Sequence, residues 1–162
     1  MARTATIRPL AVLTIAFASV ALTGCSLLGN IPREAEPNDD GSTTTDVFTV
    51  IVGDCLNDGG AAGEVSEVAV IDCETEHDSE AFKSVIMPDG DFPGETAVDT
   101  QAVSECTKAF TSFVGLDYES SSLDFSYYFP TEESWALSDR EILCLIVDPN
   151  GKTTGTLEAA AK

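Results

Sequence analysis

Ile142-Leu143-Cys144-Leu145-Ile146-Val147 is an unbroken apolar run, set between Asp139-Arg140-Glu141 and the polar group Asp148-Pro149-Asn150-Gly151. Its length suits a strand rather than a helix. Continuous rather than alternating hydrophobicity means that both faces are covered. The run therefore reads as the central strand of a sheet. The Asp-Pro-Asn-Gly group is a tight turn, which leads to a short last strand predicted over Lys152 to Leu157.

Working outward, the one long helical pattern lies at about Thr96 to Val114. Ala102, Cys106, Ala109, Phe110 and Phe113 recur on one face of a 3.6-residue period. Thr96 with Asp99 resembles a capping box, and Gly115 suits the C-terminal stop. Further strands are predicted at Val47–Val52, Val65–Cys73, Ala81–Met87 and Leu123–Phe129, from β-branched and aromatic content. Asn57–Gly63 and Pro88–Gly94 carry turn chemistry between them. Pro130 to Asp139 reads as a loop or short helical turn holding the single tryptophan, Trp135. The sum is an α+β domain: a small, mostly antiparallel sheet with one main helix packed on a face, framed by two disulfides.

Residues 1–24 have the layout of a secretory leader. Arg3 and Arg8 make a positive start, and Leu10 to Leu22 is apolar and uncharged. That stretch is about 13 residues, against roughly 20 for a membrane-spanning helix. Leu22-Thr23-Gly24-Cys25 follows and resembles the lipobox of bacterial lipoproteins, which implies diacylglycerol on the Cys25 thiol and cleavage just before it. Two acyl chains hold a protein firmly on a bilayer, at about 0.8 kcal/mol for each buried CH₂. The expected location is the outer face of the cell membrane, lipid-anchored. Residues 25–45 then read as the lipidated N-terminus and a flexible tether, with two prolines, two glycines and no hydrophobic period. The domain is expected over 46–157, with 158–162 a C-terminal tail.

The full chain has a formal charge of −20; the leader removes two of its eight basic residues and no acids, leaving six against 28, or −22. Such a surface repels nucleic acid and excludes DNA or RNA as a partner. Cys25 apart, four cysteines remain: Cys55, Cys73, Cys106 and Cys144. Outside the cytoplasm an even set of four suggests two disulfides, with three possible connectivities. Two observations favour Cys55–Cys73 with Cys106–Cys144. The first pair ends consecutive predicted strands; the second joins the apolar face of the helix to the middle of the most buried strand.

The positions met so far form a pattern: Gly53-Asp54-Cys55-Leu56-Asn57, then Val70-Ile71-Asp72-Cys73 with His77 beyond it, then Cys106 on a helix ending Phe113-Val114-Gly115. Trp135, Asp139-Arg140, Cys144 and Gly155-Thr156-Leu157 complete the set. It resembles the septum formation family of actinobacterial envelope proteins, over roughly Asp46 to Leu157. The resemblance implies a role near division or envelope growth and an envelope or division protein as partner, and it brings no catalytic residues. Glu76 stands where the family usually has proline, Ser138 where glycine usually precedes Asp-Arg, and Thr156 where serine is usual.

Three residues are candidates for binding: His77, Trp135 and Arg140. His77 lies among Asp72, Glu74, Glu76, Asp78 and Glu80, a setting that suits a pH-sensitive contact better than a general base. A histidine holding a loop by hydrogen bonds is the plainer reading and the better supported. Arg140, near Trp135, is a ligand-binding pair or, more often, a tie between loop and sheet. Asp89-Gly90-Asp91 begins like a calcium loop, but Pro93 and Thr100 occupy positions where ligands are needed, so no metal site is expected. No cofactor motif is present, and no catalytic template such as G-x-S-x-G, H-E-x-x-H or a Walker loop. Glu132-Glu133 is a solvated acidic pair. The first expectation is a non-catalytic envelope module that binds another protein. The alternatives are a hydrolase using His77 with an acidic neighbour, and a small-ligand or cation binder.

Overall fold

A computed structural model describes residues 37–59 and 63–162. The leader, Cys25 and most of the expected tether lie outside the described residues. Six strands form one sheet: β1 (Thr43–Asp46), β2 (Cys55–Leu56), β3 (Glu67–Ile71), β4 (Ser79–Ile86), β5 (Asp124–Tyr128) and β6 (Glu141–Val147). Their order is β1-β3-β2-β4-β6-β5, and every neighbouring pair is antiparallel. One long helix, α1 (Glu95–Val114), and one short helix, α2 (Glu132–Ala136), complete the regular structure. The α+β expectation is borne out, one main helix on a sheet face included.

The apolar run at Ile142 explains the layering. Ile142, Cys144 and Ile146 pack with Phe82 and with Val98, Ala102, Cys106 and Phe110 of α1. Leu143 and Leu145 alternate to the other face and pack with Val47, Val50, Leu56, Val68 and Ala81. Successive side chains of a strand point to opposite faces, so a strand covered on both must be apolar at every position. β6 lies inside the sheet between β4 and β5, one place from the edge rather than at its middle.

On α1 the buried residues are Val98, Ala102, Cys106, Phe110 and Val114, each four apart, with Ala109 and Phe113 partly buried beside them. Gly115 closes the helix with φ 82°, its N–H bonding the Thr111 carbonyl. The expected capping box at Thr96 and Asp99 does not form. The N-cap is Gly94, which gives no side-chain bond, and Asp99 instead accepts a hydrogen bond from the Tyr127 hydroxyl at 2.6 Å. A reciprocal box does occur on α2, between Thr131 and Ser134.

Three expectations need correction. Val47–Val52 is not a strand. Asp46 accepts the Phe48 N–H at 2.9 Å and starts a tight turn over Val47–Thr49, and the segment crosses from β1 past β3 to β2. Val47 and Val50 drop onto the second sheet face, while Phe48, Ile51 and Val52 stay exposed. Lys152–Leu157 makes one bridge, Thr153 with His77, and no strand. Thr43–Thr45, assigned to the tether, form an edge strand with β3 instead. The turn before it is closed by the Asp40 carboxylate, which accepts from the Ser42 N–H and hydroxyl; these bonds hold its pKa below the usual range.

Candidate functional site

Both disulfides form as the spacing favoured. Cys55–Cys73 joins β2 to the turn just beyond β3, with Cα atoms 5.2 Å apart, and Cys106–Cys144 pins α1 to β6 at 5.6 Å. In the chain-entropy account, spans of 18 and 38 residues contribute about 3 and about 4 kcal/mol.

His77 lies wholly inside, with none of its surface exposed. Its Nδ1 is 2.9 Å from the Thr75 carbonyl and its Nε2 is 3.2 Å from the Thr153 hydroxyl. A carbonyl only accepts, so Nδ1 donates its proton to Thr75, while Nε2 shares a hydrogen bond with the Thr153 hydroxyl, which can act in either sense. The backbone of the same two residues exchanges both bonds, His77 N–H to Thr153 oxygen at 2.9 Å and the reverse at 3.0 Å. Among the described residues no carboxylate hydrogen-bonds or ion-pairs with this ring. The acids that flank it in sequence turn elsewhere: Asp78 pairs with Lys152 at 3.3 Å, and Glu80 serves a different segment.

Glu80 is a residue the sequence did not single out. The residue is only 4 % exposed, yet each carboxylate oxygen is satisfied, by the Thr156 hydroxyl at 2.7 Å and the Leu157 N–H at 2.8 Å. Charge-assisted bonds of this kind offset the cost of burying a carboxylate. Together with the Gly155 N–H on the Cys73 carbonyl at 2.6 Å, they fasten the C-terminal segment across the domain. The tail continues that attachment, with Ala159 and Ala161 N–H groups on the carbonyls of Phe113 and Val114 at the end of α1. A polar strand position beside Gly155-Thr156-Leu157 was the available signal, and only contacts distant in sequence give it meaning.

Trp135 and Arg140 do come together. The guanidinium lies 3.9 Å from the indole centroid, and Nη1 donates to the carbonyls of Trp135 and Asp139 at 2.7 and 2.6 Å. Its Nε stands 3.3 Å from an Asp89 carboxylate oxygen, without the alignment of a hydrogen bond. The indole N–H donates to the Gly90 carbonyl at 2.9 Å, and Phe92 meets the ring edge-on. The group ties the β4–α1 loop to the turn before β6. In that turn Ser138 has φ 75°, the left-handed region that favours glycine.

His77 and the Trp135–Arg140 pair belong to separate parts of the structure, with no bond or ring contact between them. Among the described residues no three His, Cys, Asp or Glu side chains gather as metal ligands, and no helix is long and apolar enough to cross a membrane. Beside the N-terminal end of α1, Phe92, Thr96, Thr100 and Glu132 border an open surface depression.

These features define a disulfide-framed α+β module whose distinctive side chains each hold one element against another. The septum formation family model matches residues 52–162, well over half of the chain, and the chain belongs to that family. No curated protein and no solved structure matches the chain. The septum formation domain is not a known enzyme family.

Proposed function

We propose that this chain is a non-catalytic binding module, held by lipid on Cys25 at the outer face of the cell membrane, which engages another envelope or division protein during septum formation. One observation carries the reading. The residues that make up the family signature are committed to the scaffold: both disulfides, His77 on Thr75 and Thr153, Trp135 on Gly90, Arg140 on Trp135, and Gly155 on Cys73. A signature spent on holding shape leaves the exposed surface for recognition. Two disulfides support an oxidising compartment, and the Leu22-Thr23-Gly24-Cys25 stretch supports the anchor. The anchor is tested by fractionating cells that carry Cys25→Ser. The variant should leave the membrane fraction while keeping both disulfides and its thermal midpoint; retention in the membrane fraction would remove the lipid. Partner binding is tested by crosslinking and mass spectrometry in the native cell, which should recover one envelope or division protein above background.

A further inference from the structure

A sheet that ends in an exposed strand presents a row of unpaired main-chain groups, and proteins normally guard such an edge with charged residues, lysine above all, with proline or with a bulge; the one charged residue on β5 is Asp124. β5 is an edge strand with β6 on one side. It contains no lysine and no proline, and its pairing with β6 runs without a register break. The direction of its main-chain groups follows from the ladder. The Met87 N–H bonds the Arg140 carbonyl, so Ile142 and Cys144, of the same parity, turn their groups toward β4. Leu143, Leu145 and Val147 therefore face β5, where their partners are Tyr128, Ser126 and Asp124. Phe125 and Tyr127 are left aiming N–H and C=O outward. The Phe125 N–H agrees with that direction, since it is taken by the Asp124 carboxylate at 2.8 Å rather than by β6.

Charge states what would cover this edge. From residue 84 to 139 the chain carries eleven acidic residues and one basic residue, Lys108; just outside that stretch Arg140 faces Asp89 at 3.3 Å, and Lys162, whose carbonyl takes the Ser122 N–H ahead of β5, pairs with Asp148 at 3.8 Å. Lys108 is already paired with Glu105 at 2.7 Å. The acids reach the edge itself: Asp124 sits on β5, and Asp99 of α1 meets the Tyr127 hydroxyl. A second copy of this chain would bring like charge against like charge. Position also matters. The opposite edge is β1, five strand spacings or about 24 Å away measured along the sheet. The β5 edge is thus the one across the sheet from the N-terminal strand β1.

We propose that the edge of β5 receives an extended, lysine- or arginine-bearing segment of the partner protein, which pairs with the outward main-chain groups of Tyr127 and with the Phe125 carbonyl as a seventh strand, the Phe125 N–H being held by Asp124. This rests on the binding role proposed above and names its surface and the chemistry of its occupant. Main-chain pairing supplies attachment, while the surrounding carboxylates select for positive charge.

The test places a photo-crosslinking residue at Ser126, and separately at exposed Ile51 and Leu137, in the full chain expressed in its native cell. The captured peptide is sequenced by mass spectrometry. Asp99→Asn with Asp124→Asn, which keeps the oxygen acceptors for Tyr127, Tyr118 and Phe125, is measured in parallel after its thermal midpoint has been matched to wild type. The expected result is capture from Ser126 of a segment rich in lysine or arginine, with about a fivefold lower yield in the double variant. Capture from Ile51 or Leu137 with none from Ser126 would overturn the edge proposal and leave the binding role standing. A neutral or acidic captured segment, or an unchanged yield in the double variant, would overturn the assigned chemistry. Silence from all three positions would remove the binding role together with the edge.

Discussion

Ser138 holds φ 75° in the turn that delivers Arg140 to Trp135. A side chain in that region costs about 1–2 kcal/mol, part of which glycine gives back in unfolded-state entropy. Ser138→Gly should therefore raise stability by about 0.5–1 kcal/mol, read as a shifted urea midpoint at unchanged slope. The three tyrosines set a second expectation at this scale. Burial and the Asp99 carboxylate push the Tyr127 phenol up to about 12. Burial with Asp58 raises Tyr128 further, and the hydrogen bond to Asp124 raises Tyr118. A pKa raised by folding stabilises the fold below the unfolded value of roughly 10, and that stability is lost as pH rises through the folded value. Stability should fall between about pH 10 and 12, and Tyr127→Phe should make the fall shallower, as followed by circular dichroism during alkaline titration. Among candidate residues, the plainer reading of His77, a ring holding a loop by hydrogen bonds, agrees with its contacts to Thr75 and Thr153. Glu80 was not legible in sequence, because its partners Thr156 and Leu157 are more than seventy positions away.

Elements that carry their own period were legible in sequence; those whose form is imposed by distant contacts were not. The helix was readable because Ala102, Cys106 and Phe110 recur every four residues, and β6 because nothing interrupts its apolar run. Val47–Val52 misled because β-branched content favours a strand, whereas Asp46 caps a turn and burial selects Val47 and Val50, three apart. Lys152–Leu157 misled for a related reason. Gly155, at φ 79°, turns the chain onto Cys73 and Glu80 after a single bridge. The disulfides yield an ordered prediction. Cys106 and Cys144 are fully buried between α1 and β6, whereas Cys73 is partly exposed beyond β3. Mild reductant should open Cys55–Cys73 first, and mass mapping of alkylated cysteines over time should show Cys106 and Cys144 labelled only on global unfolding.

At the scale of the whole molecule, charge dominates. With 28 acids in the chain and four ion pairs among the described residues, self-repulsion outweighs local attraction. Added sodium chloride should therefore raise the thermal midpoint between low ionic strength and about 0.5 M, since screening relieves more repulsion than it weakens pairs. The same excess of negative charge, spread over a disulfide-framed scaffold whose signature residues are structural, is the surface that the proposed partner would meet. The most direct check is made at the residue a catalytic account would need. His77→Gln, chosen to keep a donor and an acceptor near Thr75 and Thr153, is introduced into the native cell, and partner capture and septum formation are scored on protein shown to be folded and fully oxidised. A non-catalytic role requires that folded His77→Gln protein capture the partner and support septa as wild type does. Folded protein that captures the partner yet fails to support septa would contradict it and place chemistry at His77.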